Sequence, residues 1–152
     1  MCNVLHEIEP ADWLPLFGSE GAIRWLLRPD GFLLIVEDTE MRIGEKAHQK
    51  GFIVLDTADI KTLFDVPEKQ PGFAVDDARN DGRLKAHLIP ASCLQNTSAD
   101  TLSNTLKQSA HLAKVEIKKL RQNEPSYREG RKHAFYVQQF ANAELALEGL
   151  RR

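Results

Sequence analysis

The stretch that decides the fold is residues 27–38, which read L-R-P-D-G-F-L-L-I-V-E-D. Its first part predicts a turn, because Pro29 presets one backbone dihedral angle and Gly31 accepts a positive one. Its second part, Phe32–Val36, is an unbroken apolar run that leads directly into Glu37. Such a run is typical of a β-strand covered on both faces, as in the parallel sheets of α/β proteins.

A second strand is predicted at the start of the chain, over residues 2–8, and it ends before Pro10. Between the two strands, Asp12 is expected to cap a helix that begins near Trp13, and the helical pattern resumes after Gly21. A strand, a helix and another strand in this order predict a parallel pair joined by a right-handed crossover, and hence an α/β sheet.

Shorter elements are expected in the middle of the chain. They are a helix over 44–50, an extended piece over 52–55, a helix capped by Asp56 or Thr57, and strands over 73–75 and 84–89. The sequence Asn80-Asp81-Gly82 between the last two strands has the turn chemistry of an antiparallel hairpin.

Two long helices are predicted after Pro90. The first begins at Thr97 or Ser98, keeps its apolar residues in a seven-residue rhythm, and stops before Pro125; the second spans about 128–150. Long helices joined by a short turn that contains proline predict an antiparallel helical hairpin.

The chain is therefore divided into an α/β domain over 1–95 and a C-terminal helical hairpin over 96–152 that packs on it. Apolar residues make up 42% of the 152 and the net charge is −2, a balance that excludes a disordered chain. The longest apolar run has five residues, too few to cross a bilayer, and no secretory signal is visible. Cys2 and Cys93 lack the spacing of a disulfide framework or a metal site, so a cytoplasmic protein without a bound metal is expected.

One pair of residues, His6 and Glu37, could carry chemistry. Ligands of open α/β sheets bind beyond the carboxyl ends of the strands, and both residues leave the same edge if their strands are neighbours. A carboxylate beside an imidazole fixes its tautomer and raises its basicity, which makes a useful general base. The alternative is that His6 bonds to backbone at the strand end, while Glu37 and Asp38 cap the following turn.

Residues 3–8, N-V-L-H-E-I, together with the L-R-P-D-G-F-L-L-I-V-E stretch, resemble the second half of class I S-adenosylmethionine-dependent methyltransferases. In that family a strand with a short polar signature leads to a helix, an L-x-P-x-G turn and a hydrophobic strand that ends in Glu. The hairpin around Gly82 is similar to the antiparallel pair that closes the family's sheet. Over residues 2–90 the resemblance implies a partial Rossmann-like methyltransferase sheet, with two parallel strands plus an antiparallel hairpin.

The resemblance also implies roles for the candidate catalytic residues. His6 would take the proton of an acceptor hydroxyl, and Glu37 would orient His6. The family binds its cofactor mainly in the first half of the fold, at a glycine-rich turn after a strand, whereas Gly18 and Gly21 here interrupt a helix. No cofactor-binding residue is therefore assigned. S-adenosylmethionine is not expected to bind this chain alone, and activity is expected only when an N-terminal half completes the domain.

Two further expectations concern partners. An unpaired edge beside the first strand predicts a homo-oligomer or association with a separate N-terminal half. Residues 104–152 carry ten Lys and Arg against five Asp and Glu. The alternative function is therefore a non-catalytic module that binds a protein or a nucleic acid through the basic helix pair, unless those charges simply solvate its outer face.

Overall fold

The computed structural model describes residues 1–2, 4–40, 53–77 and 82–151. After a 3₁₀ helix, Leu5–Glu7, the elements are α1 (Pro10–Phe17), α2 (Ala22–Leu26), β1 (Phe32–Asp38), α3 (Thr57–Leu63), β2 (Ala74–Asp77), β3 (Leu84–Pro90), α4 (Ala91–Leu94), α5 (Ala99–Leu120) and α6 (Tyr127–Gly149). The chain is therefore an α/β protein, as its sequence predicts.

The three strands form an antiparallel sheet in the order β1-β3-β2. The register places Leu33 opposite Ile89 and Ile35 opposite His87, so these side chains share one face of the sheet. All four are buried, and so is Glu37, which continues the same alternation to the end of β1. Along β1, the inward face of the sheet thus changes from apolar residues to an ionisable residue near the carboxyl end of the strand.

The strand predicted over residues 2–8 is not formed. Among the described residues of this segment, only Cys2 makes a bridge to β1, in the parallel direction, and the chain then turns into the 3₁₀ helix. The amides of Val4 and Leu5, which would donate to a neighbouring strand, donate instead to the Glu37 carboxylate, at 2.8 and 2.6 Å. A parallel pair of full strands is therefore absent from the described residues.

Helix α1 begins earlier than predicted and has a different cap. Its first residue is Pro10, its N-cap is Glu9, and Asp12 lies within its first turn. Proline suits the first helical position because its missing N–H would be unpaired there in any case. The predicted start near Trp13 is therefore wrong by three residues.

The predicted hairpin of β2 and β3 is confirmed, with pairing that runs from Ala74 opposite Leu88 to Asp77 opposite Lys85. Gly82 has φ +71°, a conformation that glycine adopts without strain, and its amide donates to the Asp77 carboxylate. The other two turn residues, Asn80 and Asp81, lie outside the described residues. So does the predicted helix over 44–50, and 53–55 carry no regular secondary structure.

The long helices are confirmed, and their starts follow from side-chain caps. Ser98 caps α5 and Asp56 caps α3, each in a reciprocal capping box that satisfies two otherwise unpaired amides. The helix pair and the sheet share a hydrophobic cluster, which includes Ile35, Ile89, Leu102, Leu106, Ala143 and Leu147. The helical hairpin therefore shares one hydrophobic core with the inward face of the sheet.

Within the described part of the chain, no helix combines the length and the apolar character needed to span a membrane.

Candidate functional site

His6 and Glu37 lie in direct contact at the carboxyl end of β1. His6 Nδ1 is 2.7 Å from one carboxylate oxygen of Glu37, and both side chains are buried, with 6% of their surface exposed. The other carboxylate oxygen accepts the amides of Val4 and Leu5. The two candidate residues of the sequence analysis are therefore together, and their contact joins the two side chains.

The surroundings of Glu37 keep it ionised. Burial raises the pKa of this carboxyl group, but the hydrogen bond to His6 and the two backbone amides outweigh it, so the pKa lies below its ordinary value. A carboxyl group with a lowered pKa stabilises the fold at neutral pH, and this contribution is lost as the pH falls through the folded-state pKa. At neutral pH the ionised Glu37 therefore binds the amides of Val4 and Leu5 and the His6 ring, and protonation of Glu37 weakens these contacts.

A cavity of about 130 Å³ lies beside Glu37, between the end of the sheet and the helix pair. Ionisable residues of its lining come from the end of β1, from β3 and from the start of α3, while the helix pair supplies both apolar and polar residues. The lining includes Glu37, Asp56, Asp59, Lys85, His87, Ala113, Phe135 and Tyr136.

His87 is a buried histidine in the cavity wall with one ring nitrogen unpaired. Its Nε2 is 3.0 Å from the Thr57 hydroxyl, whereas its Nδ1 has no hydrogen-bond partner among the described residues. Burial, and then the charge of Lys85, lower the pKa of His87 although Asp56 acts in the opposite direction. A neutral imidazole is therefore favoured at this position.

Asp59 is the second titratable group that burial perturbs. Its carboxylate accepts the Asp56 amide at 3.3 Å and a hydrogen bond from Gln108 at 3.2 Å. Burial and the nearby charge of Asp56 nevertheless raise its pKa to about 7. Two acidic residues of one capping box thus differ in environment, since Asp56 is exposed and Asp59 is buried.

The cavity wall is held together by Gln139 of α6. Its amide group accepts a hydrogen bond from the Val54 backbone N–H, donates to the Val54 carbonyl, and donates to the Ser109 hydroxyl of α5. These bonds tie the segment before α3 to both long helices. The position of Asp56 at the cavity is consequently fixed by α6 as well as by its own helix.

Gly18 and Gly21 lie where the backbone passes close to the end of α1. A Cβ at Gly18 would lie 2.7 Å from the Leu14 carbonyl oxygen, and one at Gly21 would lie 2.7 Å from that of Leu16. This close approach to the last turn of α1 accounts for both glycines. The described residues also contain no group of three or more His, Cys, Asp or Glu side chains that could hold a metal ion.

Sequence reasoning missed His87 and Asp59 as site residues. Neither residue belongs to a recognisable motif in the sequence. A partial signal existed in β3, where Lys85, His87 and Ile89 alternate toward the inward face and place a titratable group beside the end of β1. The helix pair that closes the cavity comes from distant sequence, so local patterns could not reveal it.

Comparison of the chain with models of protein families, with curated proteins and with solved structures gave no match.

The raised pKa of Asp59 predicts an unusual dependence of stability on pH. Between the ordinary value of 3.8 and about 7, the folded state holds a proton that the unfolded state has lost, so the free energy of unfolding falls as the pH rises. Replacing Asp59→Asn removes this loss. We therefore expect the free energy of unfolding of the variant, measured with urea and compared with that of the unmodified protein, to increase by roughly 2–4 kcal/mol from pH 4 to pH 8.

The matched control is Glu144→Gln, which removes an exposed carboxylate from the middle of α6 and should leave the pH dependence unchanged. If the free energies of unfolding of Asp59→Asn and the unmodified protein differ by the same amount over this whole pH range, the pKa of Asp59 is not raised.

Proposed function

We propose that this chain is the distal part of a class I S-adenosylmethionine-dependent methyltransferase domain and acts with a separate cofactor-binding portion. The observation that carries the proposal is the 2.7 Å contact of His6 with Glu37 at the carboxyl end of β1. It is the arrangement that the resemblance implies for a base and the residue that orients it.

The strand arrangement gives further support. The first residues run parallel to β1 through the bridge of Cys2 to Val36, on the edge opposite β3, while β3 and β2 follow as an antiparallel pair. The family's sheet has parallel neighbours at this place and is closed by an antiparallel pair. We therefore propose that the sheet is part of a Rossmann-like sheet, although most of the first strand is replaced by a turn.

In this proposal, His6 takes the proton from an acceptor hydroxyl, and Glu37 is a positioning residue. The carboxylate fixes which ring nitrogen of His6 carries the proton and stabilises the imidazolium formed when the second nitrogen takes another. Because no described residue is assigned to the cofactor, its binding is proposed to belong to the other portion. The two free thiols are in keeping with the expected cytoplasmic location.

The alternative proposal is a non-catalytic module that uses the helix pair. Its basic residues Lys107, Lys114, Lys118, Arg121, Arg128 and Arg131 are exposed. The aromatic residues Phe135 and Tyr136, however, pack edge to face with centroids 5.0 Å apart and line the cavity. Such packing favours a protein partner over base stacking on a nucleic acid.

Titration calorimetry with S-adenosylmethionine tests the main proposal. We expect no heat of binding with this chain alone and restored binding when the polypeptide encoded directly upstream of Met1 is co-purified with it. His6→Gln should leave this binding unchanged but abolish methylation of a panel of small phenols, whereas His111→Gln, on the exposed side of α5, should affect neither.

If the co-purified polypeptides bind no S-adenosylmethionine, the methyltransferase proposal is wrong. Salt-dependent retention on immobilised nucleic acid would then support the nucleic-acid-binding form of the alternative and count against the protein-binding form.

We also propose that the chain associates through the outward face of its sheet. Phe32 and Leu34 point away from the core and are nearly half exposed, and α2 presents Trp25 and Leu26 with 75% and 82% of their surface exposed. Large exposed apolar residues of this kind favour contact with a second copy of the chain or with the N-terminal half.

Light scattering during size-exclusion chromatography is expected to give more than the monomer mass, either for the chain alone or with the upstream polypeptide. Leu34→Glu together with Leu26→Glu should return the chain to a monomer. Leu145→Glu, on the half-exposed surface of α6, is the control and should not. Monomers in every sample would show that this surface is not an interface.

A further inference from the structure

We propose that the outer face of α6 pairs with the same face of a second copy of the chain, with the two helices antiparallel about a two-fold axis near Val137. The outer face of α6 comprises Gly130, Ala134, Val137, Ala141 and Leu145. This contact is separate from association through the outward face of the sheet. It does not depend on methyl transfer, because it uses neither the sheet nor His6.

The outer face of α6 takes no part in the core. Its members follow one another at intervals of three or four residues, which places them in one row along a helix. All five are exposed, and the large apolar side chains among them, Val137 and Leu145, have 41% and 49% of their surface exposed. The buried residues of α6, such as Gln139 and Ala143, lie on its other side. α6 therefore presents a second set of apolar residues for which the described part of the chain supplies no cover.

The charges at the two ends of α6 identify the partner as another copy of the same helix. Arg128 and Arg131 are exposed near its start, and Glu144 and Glu148 are exposed near its end, on the other side of Val137. When two copies of α6 lie antiparallel, the basic start of each helix meets the acidic end of the other. A parallel pair would instead bring like charges together, which is unfavourable.

Other contacts within the chain leave this charge pattern in place. In the ranges that the structure describes, no ion pair involves Arg128, Arg131 or Glu144. Glu129, which is the one acidic residue near the start of α6, is partly buried and accepts a hydrogen bond from Asn123. The exposed start of α6 is therefore positive and its exposed end is negative.

Small residues allow the two helices to approach closely. A Cβ at Gly130 would meet no atom within 4 Å, so the space above this residue is open. Leu145 of one copy lies near Gly130 of the other, because the two residues are almost equally far from Val137 in opposite directions along the helix. Pairing therefore removes Val137 and Leu145 from water, which is the favourable contribution of the apolar residues.

The size of the outer face of α6 limits the strength of the pair. A standard stable interface buries about 800 Å² on each partner, which is more than one row of five side chains supplies. We therefore expect the pair to form at submillimolar protein concentration and to dissociate at the micromolar concentrations of size-exclusion chromatography.

Sedimentation equilibrium tests the pairing. It is done with the chain that carries Leu26→Glu and Leu34→Glu, so that the proposed sheet interface does not contribute and its failure or success has no bearing on the result. We expect the average mass to rise from monomer toward dimer as the concentration becomes submillimolar. Val137→Glu should weaken this dimer at least tenfold. Val115→Glu is the matched control, since this valine of α5 is 44% exposed and lies outside the outer face of α6.

Reversal of the end charges tests the antiparallel arrangement. Arg128→Glu with Arg131→Glu makes both ends of α6 acidic, and Glu144→Arg with Glu148→Arg makes both ends basic. Each of these two proteins alone should pair at least tenfold more weakly, because like charges then meet. An equal mixture of the two should form dimers again, and so should a chain with all four substitutions. This restored pairing also establishes that the variants are folded.

A monomer at submillimolar concentration overturns the proposal, and so does a dimer that Val137→Glu weakens no more than Val115→Glu does. If either charge-reversed protein pairs as strongly as its parent, or if the chain with all four substitutions stays monomeric, the antiparallel pairing of α6 is wrong.

Discussion

The hydrogen bonds of the Glu37 carboxylate are the interactions on which the rest of the structure depends. The carboxylate sits at the end of a buried strand, where an ionised group is tolerated only if hydrogen bonds replace the water that burial removes. Here the amides of Val4 and Leu5 and the His6 ring supply those bonds. One buried charge thereby fixes the start of the chain against β1 and sets the position of the candidate base.

The same end of the sheet brings together groups that do not share a sequence neighbourhood. Inward alternation along β3 delivers His87, the capping box of α3 delivers Asp56 and Asp59, and α5 and α6 close the space above them. Gln139 holds the segment before α3 in place by bonding to both its N–H and its carbonyl group. Ionisable groups in one partly buried space shift each other's pKa values, as Asp56 does for Asp59.

Local chemistry explains what could be predicted from the sequence. The apolar run before Glu37, the caps at Asp56 and Ser98, and the periodic helix pair each encode their element within a few residues. The strand over 2–8 could not be judged in this way, because its amides are taken by a side chain more than thirty residues away. His6 does contact Glu37, as expected, but it does so from a 3₁₀ helix and not from the end of a neighbouring strand, whereas the cavity depends on how distant helices pack.

Hydrogen exchange at the amides of Val4 and Leu5 tests the central role of Glu37 most directly. We expect measurable protection of both amides at neutral pH and a loss of roughly tenfold or more of that protection in Glu37→Gln, which removes the charge from the acceptor. The amides of β3 should stay protected, and Glu7→Gln, a neighbouring exposed carboxylate, should change nothing. If Val4 and Leu5 exchange at the rate of an unstructured peptide in the unmodified protein, the Glu37 carboxylate does not hold the start of the chain against β1.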